Sequence, residues 1–446
     1  MARPPRVALG TLGCKLNQYE SAQMREDFEA LGFVTVPFDA DAEVYVLNTC
    51  TVTHRTDRDT RRLARQARRR RPDALVIITG CGAQMQREQI EALGVADLVL
   101  ANEGKPELAQ LAAGLMNVPA SPPAMDRDHG ERLVHSFPGN TRAFVKVQEG
   151  CNAACTYCII RQARGPSRSV PTDLVVRQAA RLGCSGHPEV VLVGTHLGAY
   201  GQDLGPDAPD LAQLVEMLCD LETVSRVRLS SIEPREVTRR LIELTCAGGQ
   251  ALRPDAALPG RGKVCRHLHI PLQSGCDATL QRMGRPYDAA FYYELVEGIT
   301  ARAPQVCIGA DVLAGFPGET EAEFTQTMEL LRALPVAYLH AFSYSERPGT
   351  PAAQMPGSVE PEARKRRTHA LRALSAQKAA SFAARAIGQC LEVVVETPRD
   401  KAGRLVGVSD NYLRVAFDGP HDLVGRLVAV QVTSAEATGL LGSLAE

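Results

Sequence analysis

The 446-residue sequence lacks tryptophan, is poor in aromatic residues (5% in total) and has no charge excess, since 50 Lys and Arg face 51 Asp and Glu. This balance excludes a uniformly basic nucleic-acid binder, although basic surfaces can still be local. No run approaches the ~20 apolar residues of a membrane span, and residues 74–83 are about the longest candidate. The first residues lack the apolar core of a secretory signal. We therefore expect a globular, cytoplasmic protein without a membrane partner.

What the sequence does contain is 13 cysteines, an odd number spread along a long chain. In a reducing compartment, clustered cysteines are more often metal ligands or catalytic thiols than disulfides. Six of the 13 fall into two groups of three, and the other seven follow no pattern that predicts a function.

Strand and helix patterns predict an α/β protein with three folded parts and a linker. Residues 1–116 alternate short β-rich runs with amphipathic helices, which predicts a parallel α/β domain. The Pro-rich residues 117–136 predict a linker. Residues 137–386 hold six β/α units, which predict a partial (β/α)6 barrel followed by a basic bridging helix. Residues 387–446 alternate short apolar runs with Gly and Asp, which predicts a small antiparallel β-barrel.

Cys151, Cys155 and Cys158 form the spacing C-x3-C-x2-C in a loop after a β-run. Three thiolates this close can hold three irons of a 4Fe-4S cluster and leave the fourth iron open, since a fully protein-bound cluster uses four Cys. A structural zinc site needs a fourth ligand, and no further Cys or His stands nearby in the sequence. Three buried structural cysteines are the plain alternative, but the spacing favours a cluster.

Cys14, Cys50 and Cys81 each follow a β-run, and they are separated by about one βα unit. The carboxyl ends of parallel strands lie along one edge of a sheet, so the three thiols could converge there. Cysteines also occur at such positions as small core residues. The pattern alone leaves both interpretations open.

Several stretches resemble one enzyme family. CNAACTYC resembles the radical S-adenosylmethionine signature, with the aromatic Tyr157 before its last Cys. GTLGCKLNQYES, VLNTCTVTHRTDRDTRR and ITGCGAQ resemble the N-terminal blocks of the methylthiotransferase family, and the C-terminal part resembles the RNA-binding barrel called TRAM. Arg161 and Gly82 depart from the usual family residues. The resemblance covers nearly the whole chain and is greatest to the bacterial threonylcarbamoyladenosine branch.

The resemblance implies two 4Fe-4S clusters, one on Cys151, Cys155 and Cys158, and a second on Cys14, Cys50 and Cys81. It also implies S-adenosylmethionine as cofactor, with the chemistry at the clusters and no side-chain acid or base. The implied reaction converts N6-threonylcarbamoyladenosine at position 37 of tRNA to its 2-methylthio derivative. The implied partners are tRNA, not DNA, and an electron donor that the sequence does not identify.

Three alternatives stay open. The same methylthiolation can act on isopentenyladenosine in tRNA or on an aspartate of a ribosomal protein. A non-enzymatic, zinc-containing RNA-binding protein is the alternative of another class.

Polar residues and glycines follow the barrel strands, at the end where such barrels bind ligands. Glycine lets a backbone approach a ligand closely, although the same residues also shape loops. The candidates for cofactor contact are Gly194, Thr195, Ser230, Glu233, Gln273, Gly275, Gly315 and Gly318.

Two basic segments are candidates for RNA contact. Residues 55–71 contain nine Arg, five of which share one helical face, and residues 361–387 carry seven basic residues against a single acid. Such stripes can neutralise phosphates, whereas a solvated helix face is the plain alternative. In the terminal barrel five basic residues face eight acids, so its charge does not favour RNA. The candidates are Arg58, Arg61, Arg62, Arg65, Arg69, Arg364 and Lys365.

Overall fold

The computed structural model describes residues 3–118, 127–128, 131–249, 261–436 and 439–445. Half of the predicted linker lies outside these described residues. Within the described ranges, no helix combines the length and the apolar character that crossing a membrane requires.

The chain forms two compact units. The first comprises Met1–Ser136, Glu149–Asn152 and Cys158–Pro166, and the second comprises Phe137–Gln148, Ala153–Tyr157 and Ser167–Glu446. The loop that carries the C-x3-C-x2-C motif therefore contributes to both units. The four-part domain division drawn from the sequence stays a prediction.

The first unit is built on a five-stranded parallel sheet of order β2-β1-β3-β4-β5, as the alternation of strands and helices predicts. Every residue of β3 is buried, because helices cover both faces of the sheet. The strands are β1 (Arg6–Thr11), β2 (Val34–Val36), β3 (Val44–Thr49), β4 (Leu75–Gly80) and β5 (Leu98–Val99), followed by the short pair β6 (Arg127–Asp128) and β7 (Glu131–Arg132). The helices are α1 (Lys15–Ala30), α2 (His54–Arg70), α3 (Cys81–Met85), α4 (Arg87–Glu91) and α5 (Leu108–Leu115), with a 3-10 helix at Asn102–Glu107.

Apolar clusters on both faces hold this sheet between its helices. On one face Phe28 of α1 and Leu108 of α5 pack with Val46 of β3. On the other face Ala67 of α2 packs with Tyr45 of the same strand. The burial of both faces stabilises the parallel sheet and sets its strand ends in register.

The strands that follow are β8 (Arg142–Lys146), β9 (Gln148–Glu149), β10 (Arg168–Ser169), β11 (Glu189–Val193), β12 (Arg226–Leu229), β13 (His267–His269), β14 (Cys307–Ala314) and β15 (Tyr338–Ser343). The helices are α6 (Ile160–Arg164), α7 (Thr172–Cys184), α8 (Leu211–Cys219), α9 (Arg239–Cys246), α10 (Asp277–Arg282), α11 (Ala289–Arg302), α12 (Glu321–Ala333) and α13 (Pro361–Ala384). Shorter 3-10 helices lie at Leu197–Ala199, Pro234–Glu236, Arg261–Lys263 and Pro351–Gln354.

Six of these strands form the partial barrel that the sequence predicts. They make two parallel sheets, β12-β11-β8 and β13-β14-β15. Isolated bridges from Val227 to Val264 and from Ser231 to His269 join the two sheets between β12 and β13. The carboxyl ends of all six strands therefore face one side, where barrels of this kind bind their ligands.

The C-terminal strands β16 (Cys390–Glu396), β17 (Leu405–Ser409), β18 (Arg414–Phe417), β19 (Leu427–Glu436) and β20 (Gly439–Leu444) close into a barrel of order β16-β17-β18-β20-β19, with a 3-10 helix at His421–Leu423. Its pairs are antiparallel except β18 with β20, which is parallel. Val393, Phe417 and Val430 belong to its apolar core. A closed barrel of this size leaves no unpaired strand edge.

Buried charges join this terminal barrel to the amino ends of β11 and β12. The fully buried carboxylate of Glu189 pairs with Arg226 at 2.9 Å and with Arg228 at 2.6 Å. Arg228 also donates to the backbone carbonyls of Ser409 and Asp410, each at 2.9 Å. Contacts with the terminal barrel therefore fill this end of the partial barrel.

Candidate functional site

The first group of cysteines gathers at one edge of the parallel sheet. Thr11 pairs with Asn48 and Thr49 pairs with Gly80, so β1, β3 and β4 end side by side. Gly13 has a φ of +102°, and a Cβ added there would lie 2.6 Å from the Cβ of Cys50. Only glycine allows the loop before Cys14 to come so close. The sheet register thus brings together thiols from three separate loops.

Burial differs among these three thiols. Cys14 is exposed, whereas Cys50 and Cys81 are buried. Burial, together with the neighbouring Cys14 and Cys81, raises the pKa of Cys50 to about 11. Burial also raises the pKa of Cys81. Because a thiol binds metal as the thiolate, metal binding here would release protons.

Amide and hydroxyl groups tie the three loops together. The Asn17 side chain donates to the carbonyls of Leu12 at 2.7 Å and Thr49 at 3.1 Å. Asn48 donates in turn to the Asn17 carbonyl at 2.9 Å. The Thr49 hydroxyl donates to the carbonyl of Thr79 at 2.6 Å. These hydrogen bonds fix the backbone around the three cysteines, and none of the bonds involves a thiol group.

A buried ionic cluster lies beside Cys81. Lys105 Nζ and Arg164 Nη1 lie 2.5 Å and 2.7 Å from the two carboxylate oxygens of Glu20. Burial by itself would raise the pKa of Glu20, but the charges of Lys105 and Arg164 lower it to about 2. The same two cations act against the burial-driven rise in the pKa of Cys81. Positive charges beside a thiol favour its metal-binding thiolate form.

Arg164 also ties the flank of the second cysteine motif to the first group. It follows Cys158 by six residues, and its Nη2 donates to the side-chain oxygen of Asn17 at 2.6 Å. The amide of Cys151 donates to the Gly165 carbonyl at 3.1 Å. The residues on both sides of the motif are thus anchored within the first unit.

The middle of the second motif is anchored within the second unit. Thr156 donates from its amide to the Met283 carbonyl at 3.0 Å and from its hydroxyl to the Arg282 carbonyl at 2.9 Å. Arg285 Nη1 donates to the Cys155 thiol at 3.2 Å. Arg285 is buried, and Tyr287 and Glu233 hold its other nitrogens. A buried cation therefore stands beside a thiol in this group as well.

The predicted cofactor contacts divide into two kinds. The hydroxyls of Thr195 and Ser230 are buried and have no hydrogen-bond partner among the described residues. Such orphaned groups are the ones that a bound ligand would satisfy. Glu233 is already paired with Arg285, although burial raises its pKa above the ordinary value.

The glycines of this set and Gln273 serve the loops themselves. A Cβ on Gly275 would lie 2.8 Å from Thr327 Cα, and one on Gly315 would lie 2.3 Å from Arg364 Cγ. Gly194 lies against the side chain of Gln148, and Gly318 donates to the Gly357 carbonyl at 2.7 Å. Gln273 adopts a left-handed φ of +68°. These residues shape the carboxyl ends of the strands, and no contact here tests whether they touch a cofactor.

Sequence reasoning missed the buried partners of the thiols, namely Asn17, Glu20, Lys105, Arg164 and Arg285. Asn17 and Glu20 lie inside GTLGCKLNQYES, one of the stretches that carry the family resemblance, so similarity could have drawn attention to these two residues. Their roles depend on contacts across many residues of sequence, and no local spacing predicts such contacts.

Within the described part of the chain, the thiols do not lie close enough together to share a single metal ion. Among the described residues, the one group whose ligand atoms lie close enough to share one ion is His269, Asp311 and His340, and it contains no thiol. In a 4Fe-4S cluster each thiolate binds a different iron, so its ligands are spread farther apart. Two sets of three thiols with adjacent buried cations fit such clusters better than closed four-ligand zinc sites.

The five predicted phosphate contacts on α2 are all exposed. The hydroxyl of Thr53 caps the helix by accepting from the Thr56 amide at 3.3 Å. Arg62 pairs with Asp59 at 3.3 Å. Arg61 and the buried Cys50 both line one small pocket. One arginine of this face therefore borders a pocket that one of the thiols also lines.

The two candidates on α13 differ. Lys365 is exposed and has one distant acid, Glu362 at 4.0 Å. Arg364 donates to Ser358 at 2.8 Å and lies over the ring of Tyr344. Lys365 can therefore reach an external phosphate, whereas Arg364 is engaged within the protein.

Two family models match the chain, and they cover the two cysteine groups separately. Residues 6–101 match an uncharacterized protein family, UPF0004, and residues 145–331 match the radical SAM superfamily.

Curated relatives match almost the whole chain. It is 36% identical over 442 residues to the threonylcarbamoyladenosine tRNA methylthiotransferase MtaB of Bacillus subtilis, covering 96% of this chain and 94% of that protein. The protein of the same name from Thermotoga maritima is 35% identical, with 96% and 95% covered. A tRNA-2-methylthio-N(6)-dimethylallyladenosine synthase from Methylobacillus flagellatus is 31% identical, with both chains fully covered.

A solved structure shares the fold. The radical S-adenosylmethionine methyltransferase TsrM from Kitasatospora setae, solved with cobalamin and a [4Fe-4S] cluster, superposes with a TM-score of 0.54. It is 15% identical, and the match covers 79% of this chain and 74% of TsrM.

Fold, thiol groups and relatives together define the class of protein. The chain belongs to the methylthiotransferase family of radical S-adenosylmethionine enzymes, on the branch of the relatives named MtaB. Enzymes of this family use S-adenosylmethionine, a 4Fe-4S cluster in the radical SAM domain and a second cluster in the N-terminal domain.

Proposed function

We propose that this enzyme converts N6-threonylcarbamoyladenosine at position 37 of tRNA to its 2-methylthio derivative. The observation that carries the proposal is the presence of two anchored groups of three thiols, each with a buried cation beside it. The chain that holds them aligns over almost its whole length with relatives named threonylcarbamoyladenosine tRNA methylthiotransferase. The relatives that act on dimethylallyladenosine are slightly less similar, at 31% against 35–36% identity.

The proposed cluster ligands are Cys14, Cys50 and Cys81 for one cluster, and Cys151, Cys155 and Cys158 for the other. A 4Fe-4S cluster with S-adenosylmethionine supplies the radical that removes hydrogen from an unactivated carbon. The chain's own residues prepare these sites. Arg164, Lys105 and Arg285 favour the thiolate forms.

Other residues have proposed roles in binding. The hydroxyls of Thr195 and Ser230 hydrogen-bond the S-adenosylmethionine, which would remove two buried unpaired groups. The exposed arginines of α2, with Lys365, contact tRNA phosphates. We propose tRNA and not DNA as the nucleic-acid partner, the cytoplasm as the compartment, and a separate protein or small-molecule reductant as electron donor.

Iron analysis tests the two-cluster assignment. Anaerobic reconstitution is expected to give about eight irons per chain from two four-iron clusters. Cys14→Ala and Cys151→Ala are each expected to remove about half of the iron, while Cys390→Ala, an exposed cysteine of the terminal barrel, keeps all of it. Stoichiometric zinc in a colourless anaerobic preparation would contradict the proposal and favour a structural zinc protein.

Mass spectrometry of tRNA nucleosides tests the substrate. A deletion strain is expected to lose 2-methylthio-N6-threonylcarbamoyladenosine and to accumulate its unthiolated precursor. The wild-type gene restores the modification, whereas the Cys151→Ala gene does not. Unchanged methylthio-adenosines together with a lost protein methylthiolation would reject tRNA as the substrate. Loss of the isopentenyl derivative alone would reject the threonylcarbamoyl base.

A further inference from the structure

The last strand of the partial barrel leaves two aromatic rings exposed on its inner face. Leu339 and Ala341 of β15 are buried on the side of α13, where the Ser375 hydroxyl accepts the Leu339 amide at 2.8 Å. The alternate residues lie on the face shared with β13 and β14. There Phe342 is 44% exposed as a residue, and the His340 side chain is 53% exposed.

An aspartate behind His340 orients this ring. Asp311 Oδ1 lies 3.3 Å from His340 Nδ1 and 2.8 Å from His269 Nε2. The second nitrogen of His269 lies 3.1 Å from the Tyr338 hydroxyl. His269 is therefore held on both sides and buried. Among the described residues, His340 makes its polar contact through Nδ1, and its Nε2 lies on the opposite edge of the ring, directed away from Asp311.

An exposed phenylalanine next to an oriented imidazole matches one kind of ligand. Proteins bind unstacked bases by stacking them on aromatic side chains and by hydrogen bonds to their edges. Enzymes that modify a base take it out of the stack and into such a pocket. The threonylcarbamoyl substituent ends in a carboxylate, whereas the dimethylallyl substituent is a hydrocarbon. A donor beside the base would separate the two substrates.

We propose that Phe342 stacks on the target adenine and that His340 Nε2 donates to the carboxylate of its N6 substituent, so that His340 is a specificity-determining residue. This inference rests on the proposed function and names the residue that selects its base. Donation from Nε2 to the substrate carboxylate, while Nδ1 donates to Asp311, requires a hydrogen on both ring nitrogens of His340.

Binding to modified RNA tests this role. The probes are three anticodon stem-loops of identical sequence whose target adenosine carries a threonylcarbamoyl group, a dimethylallyl group or no group. Their affinities for the anaerobically reconstituted enzyme are measured by fluorescence anisotropy. His340→Phe keeps an aromatic ring. It is expected to weaken the affinity for the threonylcarbamoyl loop by roughly tenfold or more, since it removes a hydrogen bond between charged groups. The other two loops should bind as before.

Three further variants sharpen the test. His340→Gln can still donate a hydrogen bond and should retain part of the preference. Phe342→Ala should weaken the affinity for all three loops by a similar factor, on the order of fivefold or more, because stacking on the base is lost. Phe291→Ala removes an exposed phenylalanine from α11 and should change none of them. Iron content and thermal unfolding show whether each variant is intact.

The outcomes separate this inference from the proposed function. A wild-type enzyme that binds the dimethylallyl loop as tightly as the threonylcarbamoyl loop would reject the substrate, and the role of His340 with it. A wild-type preference that His340→Phe leaves unchanged, or an equal loss on all three loops, would overturn the inference alone. So would the loss of one bound zinc from His340→Phe, because Asp311 and the two histidines would then form a metal site.

Discussion

The helices α2 and α13 look alike in the sequence and differ in the structure. Both are rich in arginine and poor in acids. On α2 the arginines at 58, 61, 65 and 69 are exposed, and the described residues offer them no ion pair. On α13 Arg367 is buried and bonded to Glu319 at 2.7 Å and Glu321 at 3.0 Å. One helix therefore presents its charge to the surroundings, and the other neutralises much of it inside the protein.

The difference teaches that a charge count along one helix omits the partners that other elements supply. Glu321 begins α12 and Glu319 lies two residues before it, so both stand more than 40 residues before Arg367 in the sequence. Their charges do not appear when residues 361–387 are counted alone. Arg68, near the end of α2, likewise has a partner outside its own helix, since it pairs with Asp97 at 2.6 Å.

The largest expected effect is on stability and concerns Arg367. Arg367→Ala is expected to lower the free energy of unfolding by about 3–5 kcal/mol, because Glu319 would stay buried without its partner. Arg366 contacts the same Glu321 but is exposed, so Arg366→Ala should change stability by no more than about 0.5 kcal/mol. Denaturant unfolding of the two variants measures the contrast. Equal effects would mean that burial does not separate the two neighbours.

The next effect is on RNA binding and concerns α2. Replacing Arg58, Arg61, Arg65 and Arg69 together by Gln is expected to weaken tRNA binding by roughly a hundredfold at 0.15 M salt and to lower the salt dependence of log affinity by about 3. Stability should not fall, since these side chains bond to nothing within the described residues. The control replaces Arg177 and Arg239, exposed arginines of i,i+4 pairs on α7 and α9. A loss as large in the control would show that any surface arginine suffices.

A smaller effect separates two adjacent residues of α13. Arg364→Gln is expected to lower stability by about 1 kcal/mol through lost contacts with Ser358 and Tyr344, and to leave tRNA affinity unchanged. Lys365→Gln should do the reverse, weakening tRNA binding by roughly two- to fivefold without loss of stability. Thermal unfolding and a filter-binding assay read the two properties. If Arg364→Gln instead weakened tRNA binding at unchanged stability, Arg364 would be assigned a contact with RNA.

Much of the fold could be predicted because it depends on local patterns. The buried β-runs predict parallel strands, and the strand ends predict where Cys14, Cys50 and Cys81 gather. The exposed face of α2 follows from helical periodicity alone. These features depend on the order of residues within one element or on the ends of neighbouring strands.

The rest depends on contacts between distant residues. Arg285 reaches Cys155 across 130 positions, and Arg164 reaches Glu20 across 144. The Asp311 carboxylate that orients His340 lies on a different strand. Each is a single polar contact, which leaves no periodic pattern in the sequence. The candidate thiols could therefore be predicted, but the charges that set their chemistry could not.

The smallest predicted effect is a pH dependence of stability. It concerns Glu319 and Glu321, the two carboxylates that contact Arg367 of α13. The hydrogen bond from Arg367 lowers the pKa of Glu321, so its stabilisation is present above the ordinary carboxylate pKa and is lost as the pH falls through the lowered value. Burial raises the pKa of Glu319, which gives the opposite sign, because the folded protein binds that proton more readily. As the pH falls through the raised pKa of Glu319 to the ordinary carboxylate value, wild type should gain stability that Glu319→Gln does not gain. As the pH falls further, through the lowered pKa of Glu321, Glu321→Gln should lose less stability than wild type. Urea unfolding from about pH 7 to pH 3 measures both effects. Parallel curves for all three proteins would show that neither carboxylate changes its pKa on folding.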